Sequence, residues 1–143
     1  MKISTKGRYA LRLMLDIAEY GEGEWVSLKD VSRRQEISVK YLEQIVNMLV
    51  RANMLLSARG AHGGNKQAKP PKEYTVGGIV RAIEGSLAPV DCLDGPENTC
   101  PRRGECMTLP FWEGLDKVIT DYMDSYTLAD LIDNARTPDD YTI

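Results

Sequence analysis

A chain of 143 residues that is 43% hydrophobic can close one domain around a core; it is too apolar for a disordered chain and too polar for a bundle of membrane spans. The net charge of −3 hides a division: residues 1–72 carry 13 Lys/Arg against 7 Asp/Glu, a balance of +6, whereas residues 73–143 carry 5 against 14, a balance of −9. A basic half is the local footprint of nucleic-acid binding even in an acidic chain, and no apolar run approaches the ~18 residues of a membrane helix.

In chain order, the first predicted helix covers about 5–20, because Tyr9, Leu13 and Ile17 share one stripe and Ala10, Met14 and Ala18 the next. Gly21 closes it. Trp25 and Val26 form a short apolar bridge. Ser27 with Asp30 has the form of a capping box and opens a short helix to about Arg34. Ser38 caps a third helix over about 39–52, in which Leu42, Ile45, Val46, Leu49 and Val50 make an i, i+3, i+4, i+7, i+8 core face. Its other face offers Lys40, Glu43, Gln44, Asn47 and Arg51 to solvent, and Asn53 is a left-handed stop. Two helices joined by a tight turn, the second with a polar outward face, form the outline of a helix-turn-helix.

Residues 54–58 read as a strand and 59–64 as a tight turn; a return strand is expected, yet Asn65, Lys66 and Gln67 have little β preference. Pro70 and Pro71 break the chain, Thr75 starts a helix through Glu84, and Gly85 ends it. Thr108 and Pro110 begin a long helix to about Ser125. Its apolar residues fall in two stripes, Phe111, Leu115, Val118, Tyr122 and the heptad-like Trp112, Leu115, Ile119, Tyr122, Tyr126. So wide an apolar arc predicts that the second stripe pairs with another subunit; burial within one subunit is the alternative. Thr127 caps a last helix over 128–135, and a frayed polar tail follows.

Cys92, Cys100 and Cys106 are the only cysteines, spaced C-x7-C-x5-C among Asp, Glu, Asn, Arg, Gly and Pro. A structural cysteine behaves as a small hydrophobe and hides among apolar neighbours. This polar setting points instead to a metal or redox centre, with Gly and Pro letting the loop wrap around it. An odd cysteine count without a secretory leader leads us to expect a reducing cytoplasm rather than a disulfide framework.

The stretches Met1-Lys2-Ile3-Ser4-Thr5-Lys6-Gly7-Arg8-Tyr9-Ala10-Leu11-Arg12, Ser38-Val39-Lys40-Tyr41-Leu42-Glu43-Gln44, Arg59-Gly60-Ala61-His62-Gly63-Gly64, Ile83-Glu84-Gly85, Asp91-Cys92 and Thr127-Leu128-Ala129-Asp130-Leu131 resemble the IscR family over nearly the whole chain. These are winged-helix bacterial transcription regulators. The resemblance implies a mainly α fold: a winged helix-turn-helix DNA-binding domain with a small β wing over 1–85, a cysteine-rich sensor loop over 86–108, and a dimerisation helix, short terminal helix and tail over 109–143. It also implies that the helix carrying Tyr41, Glu43 and Gln44 enters the major groove, that Arg59 and Gly60 form the wing tip, and that Cys92, Cys100 and Cys106 hold an iron–sulfur cluster.

Residue chemistry agrees with that assignment. Glu43 can accept from the cytosine amino group, Gln44 can pair with adenine, and Lys40 can reach guanine or a phosphate. Lys2, Lys6, Arg8 and Arg12 suit phosphate contacts, Arg59 suits a narrow minor groove, and Ser38, Tyr41 and Gly60 complete the expected DNA-contacting set. Any one of these charges alone is a solvated helix face; the constellation is what points to DNA.

Two departures from the family pattern bear on function. Family members usually follow Gly-Gly with an aromatic and, two positions later, an aliphatic residue; here Asn65-Lys66-Gln67 removes those anchors, so a wing mobile without DNA is expected. Relatives with a two-iron cluster have His where Leu109 stands, and a nitric-oxide-sensing branch has a carboxylate where Arg8 stands. The fourth ligand and the choice between two-iron and four-iron forms stay open. His62, the only histidine, lies in the wing turn. Zinc accepts three thiolates plus one further ligand, and a reversible thiol switch needs no metal.

The sequence therefore reads as a homodimeric repressor of transcription, not an enzyme, that binds a palindromic double-stranded operator and senses cluster status, redox state or nitric oxide. The alternatives keep the fold with a thiol or zinc sensor, or with control by a metabolic-enzyme partner; an electron carrier is a remote one. No dinucleotide fingerprint, phosphate loop or nucleophile–histidine constellation points to catalysis.

Overall fold

The computed structural model describes residues 2–137. Helix α1, Thr5–Gly21, begins at Ser4, whose hydroxyl oxygen accepts from the Gly7 N–H at 3.1 Å, and ends where Glu22 turns left-handed at φ 47°. Gly21 is thus the last helical residue rather than the stop beyond it. Helix α2, Leu28–Gln35, is capped by Ser27, which accepts from the Asp30 N–H. The expected capping box is only half made, because the Asp30 carboxylate turns to Arg33 at 3.4 Å. Helix α3, Val39–Arg51, is capped by Ser38, and Asn53 at φ 59° is the left-handed stop the sequence predicts.

These three helices and α4, Val76–Glu84, share one core. Leu13 and Met14 of α1 are fully buried with Val31 of α2, Leu42, Ile45 and Leu49 of α3, Ile79 of α4 and Leu128 of α6, Leu128–Arg136. Burying each large aliphatic side chain is worth about 1.5–3 kcal/mol. Helix α6 reaches this core because residues 74–76 and 126–128 run antiparallel: the Val76 N–H donates to the Tyr126 carbonyl at 2.9 Å and the Leu128 N–H to the Tyr74 carbonyl at 3.0 Å. A closed capping box between Thr127 and Asp130 then starts α6. Helix α5, Leu109–Asp124, has Pro110 in its first turn and packs along α4, tied by an Arg81–Asp124 ion pair of 2.6 Å. The polar tail expected to fray falls on residues 138–143, outside the described residues.

The return strand forms in spite of its composition. Strand β1, Leu55–Ala58, pairs antiparallel with β2, Gly64–Gln67, with Leu55 opposite Gln67 and Ala58 opposite Gly64. Polar anchors replace the apolar ones whose loss predicted an unheld wing. Asn65 is 5% exposed, exchanges backbone hydrogen bonds with Val26 at 2.8 and 2.9 Å, and accepts from the Ser57 hydroxyl through its side chain. Gln67 donates from Nε2 to the Met14 carbonyl of α1 at 2.8 Å, and the Lys66 ammonium lies 4.7 Å from the centre of the Trp25 ring. At Gly64 (φ 139°) a Cβ would fall 2.5 Å from the Val26 carbonyl oxygen, so only glycine lets this bridge close.

One charge lies inside the core. The Asp16 side chain is fully buried and accepts from Arg34 through Nε at 3.0 Å and Nη2 at 2.7 Å, and from Gln35 Nε2 at 2.9 Å. The Arg34 guanidinium also stacks 4.3 Å from the Tyr20 ring centre. Arg34→Leu strands that carboxylate with Gln35 as its remaining donor and should cost about 3–5 kcal/mol of folding free energy, whereas Asp16→Leu/Arg34→Leu should cost far less. Urea denaturation reads both; a single variant as stable as the double would contradict the role assigned to the pair.

Candidate nucleic-acid interface and cysteine loop

The turn between α2 and α3 lays α3 along the core from its first turn, its buried side fixed by Leu42, Ile45, Val46 and Leu49. Ser38, Lys40, Glu43, Gln44 and Asn47 are exposed on the other side. Tyr41 is half-buried and meets Tyr9 edge-on at 5.7 Å, which brings the first turns of α1 and α3 together. Arg8 is exposed and donates to the Thr5 hydroxyl at 3.1 Å, Lys2 is exposed, and Lys6 is half-buried. Arg12 is engaged within the chain: its Nε donates to Gln35 Oε1 at 3.1 Å, its Nη2 to the Gln35 carbonyl, and its guanidinium lies over Tyr9. It serves to join α1 to α2, a role that its spacing in the sequence does not reveal.

Arg59 and Gly60 are exposed at the tip of the wing. Between the wing and α3 lies a cleft of about 370 Å³ lined by Glu43, Asn47, Ser57, Arg59 and Asn65 among others. Asn47 and Ser57 join the expected contact residues there, Asn47 by sitting one turn beyond Glu43 on the same face. The ion pairs among the described residues lie elsewhere, at Asp30–Arg33, Asp16–Arg34, Arg81–Asp124, Lys117–Asp121 and Glu19–Arg136. Lys2, Lys6, Arg8, Lys40 and Arg59 have no carboxylate at ion-pairing distance among the described residues, so their charge is available to an external polyanion.

The three thiols are free and half-exposed. Cys92 sits in a 3-10 turn, Asp91–Leu93; the Cys100 N–H donates to Asn98 Oδ1 at 3.0 Å; and Cys106 Sγ lies 3.3 Å from the Thr108 hydroxyl. That hydroxyl, followed by the Thr108 backbone N–H, holds the Cys106 thiol below the usual cysteine range. The donor types suit an iron–sulfur cluster, and Asn98 Nδ2 is a buried donor without a partner among the described residues. Their placement does not suit one: no three His, Cys, Asp or Glu side chains among the described residues are grouped to hold a metal. The convergence expected from C-x7-C-x5-C is therefore not preformed. His62 is exposed in the wing turn, Arg8 is exposed on α1, and Leu109 is half-buried at the start of α5.

Residues 3–134 match the Rrf2 family, described as an iron-dependent transcriptional regulator. Protein rrf2 of Nitratidesulfovibrio vulgaris is 42% identical over 135 residues, covering 94% of this chain and 89% of that protein. The fold is similar to that of T. potens IscR, at 36% identity and a TM-score of 0.75 over 99% of this chain and 95% of that one. It is also similar to CymR, the global cysteine regulator of B. subtilis, at 37% identity and a TM-score of 0.73 over 94% and 98%. Relatives named as transcriptional regulators indicate a DNA-binding family rather than an enzyme. No helix among the described residues is long and apolar enough to cross a membrane. Since these matches span the helix-turn-helix, the wing and the helices after it, the chain belongs to the Rrf2 family of winged-helix transcriptional regulators.

Proposed function

We propose that this regulator is a homodimeric repressor that reads a palindromic double-stranded operator in the bacterial cytoplasm and is controlled through its cysteine loop. The observation that carries the reading is the exposed polar face of α3, with Lys40, Glu43 and Gln44, set beside Arg59 across an open cleft. Glu43 and Gln44 read base edges; Lys2, Lys6, Arg8, Ser38, Lys40 and Tyr41 hold the backbone; Arg59 and Gly60 follow the minor groove. Residues 1–85 bind DNA, 86–108 sense, and 109–143 dimerise.

Dimerisation is supported by α5, which buries no residue fully and leaves Phe111, Val118 and Tyr122 at 65%, 64% and 64% exposure. Of the heptad-like stripe expected to face a partner, Trp112, Leu115, Ile119 and Tyr126 are partly buried within the subunit, and Tyr122, common to both stripes, is exposed. The partner face in this reading centres on Tyr122 with Phe111 and Val118. An apolar cleft of about 350 Å³ lined by Leu11, Val76, Tyr122, Met123, Tyr126 and Leu131 lies beside it.

The signal is an iron–sulfur cluster held by Cys92, Cys100 and Cys106, a reading supported by the thiolate donor set and by similarity to IscR proteins. Because the thiols are not grouped, Cys92, Cys100 and Cys106 would hold a cluster only with the loop closed, and such ordering would supply the two states a switch requires. A thiol switch is the second reading, favoured by the lowered Cys106 thiol and by similarity to CymR, one of whose solved structures is described as an oxidised form.

Changing Glu43 or Gln44 should alter base preference by about 1–3 kcal/mol for a good pair, while neutralising Lys6 or Arg8 should weaken all sequences alike and flatten the salt dependence by about one unit per lost phosphate. Equal losses on selected and random duplexes for Gln44→Ala would exclude α3 as the reading helix. Val118→Asp puts an unpaired charge on the dimer face and should yield monomers in sedimentation; a dimer of unchanged affinity would place the interface elsewhere. Purified anaerobically, the protein should carry iron, acid-labile sulfide and visible absorption, all lost on replacing any one cysteine by Ala. If sulfide is absent, the thiol reading takes over. In metal-free protein the Thr108 bond keeps more Cys106 as thiolate at neutral pH, so Thr108→Ala should shift its alkylation profile to higher pH; an unmoved profile would remove that support.

A further inference from the structure

Glu84 is the last residue of α4, directly before Gly85, whose φ of 83° turns the chain towards the cysteine loop. Its Oε1 accepts two hydrogen bonds from Ser4, one from the backbone N–H at 2.8 Å and one from the hydroxyl at 2.6 Å. Ser4 is also the cap of α1, so a single acid 80 residues away in sequence fixes the amino end of that helix. Gly7 makes room for it: a Cβ there would lie 2.3 Å from Glu84 Oε1. A carboxylate at the end of α4 is unfavourable for the dipole of its own helix and favourable for that of α1. Its placement therefore makes sense across the two helices rather than within one.

The segment held in this way carries Lys2, Lys6 and Arg8. We infer that Glu84 is a positioning residue for DNA binding, clamping residues 2–8 so that their cations meet the phosphate backbone next to the first turns of α3. This rests on the DNA-binding reading above. Simple electrostatics predicts the opposite sign for removing Glu84, because a carboxylate close to a cationic arm repels DNA. The clamp and the bare charge can therefore be told apart.

The test uses the full chain, with a duplex selected by the wild-type protein from a random pool and an unselected duplex, each titrated over a salt series. Glu84→Gln removes the charge but keeps an oxygen that accepts both Ser4 bonds, and it should bind both duplexes at least as tightly as wild type. Glu84→Ala should bind both about 5–20-fold more weakly, with a salt slope shallower by about one to two units as phosphate contacts are lost. Gly7→Ala displaces the carboxylate from the other side while raising helix propensity, so it should weaken binding in the same way with thermal stability retained. A folded Glu84→Ala or Gly7→Ala protein with wild-type affinity and slope overturns the clamp, as do equal losses in the Gln and Ala variants. Wild-type protein that binds no duplex overturns the DNA-binding reading itself, and the clamp with it.

Discussion

The Asp16 carboxylate, fully buried in the middle of α1, is matched by a two-pronged contact from Arg34 and a third donor from Gln35. An ionised group inside a core is tolerated only when its partners are held in place, so α1 and the end of α2 have one permitted relation. Arg12 reinforces it by donating twice to Gln35. The turn into α3 starts directly after these residues, with Glu36 left-handed at φ 56° and Ile37 buried. The turn that leads into α3 thus starts from a segment fixed by polar contacts around a single acid, and Leu42, Ile45, Val46 and Leu49 then hold α3 on the core with Lys40, Glu43 and Gln44 outward.

The wing and the amino end of α1 use the same device. Asn65 and Gln67 tie β2 to Val26 and to α1 through hydrogen bonds, where apolar side chains would ordinarily fill the space. Ser4 is bound by Glu84 across the gap between α1 and α4. Each surface expected to touch DNA is thereby attached to the body by polar contacts near the surface, while the apolar core sets the spacing of the helices. A hydrogen bond of this kind contributes only about 0.5–1.5 kcal/mol net, but leaving its buried partner unsatisfied costs more, so the contacts serve position more than stability.

The acidic half has a different character. Helix α5 spans 16 residues without a fully buried side chain, and the cysteine loop before it is made of short turns with half-exposed thiols. Phe111, Val118 and Tyr122 of the helix are exposed, and among the described residues the thiols are not grouped to hold a metal. The cysteine loop lies in chain order between α4, whose last residue Glu84 bonds Ser4, and α5, so the proposed sensor segment adjoins both the proposed dimer helix and the start of α1.

Helix positions, most of their caps and the exposed polar face of α3 were legible in the sequence because they depend on residues within a turn or two of one another. Ser27, Ser38, Thr75 and Thr127 each cap a helix as expected, whereas the Ser4 cap of α1 emerged only from the structure, and the 3.6-residue period of Leu42, Ile45 and Leu49 marks the buried side. Membership of a winged-helix regulator family was legible too, since its motifs are short local strings. Tertiary structure decided the rest. β2 forms against its own propensity because Val26 and Met14, distant in sequence, supply its partners. Arg12, though exposed, bonds across the surface to Gln35, and Phe111, Val118 and Tyr122 of α5 stay uncovered within the subunit. The spacing of Cys92, Cys100 and Cys106 permits them to meet, but their separation along a loop of turns is set by the local backbone. Spacing limits which residues can come together; only packing determines which of them do.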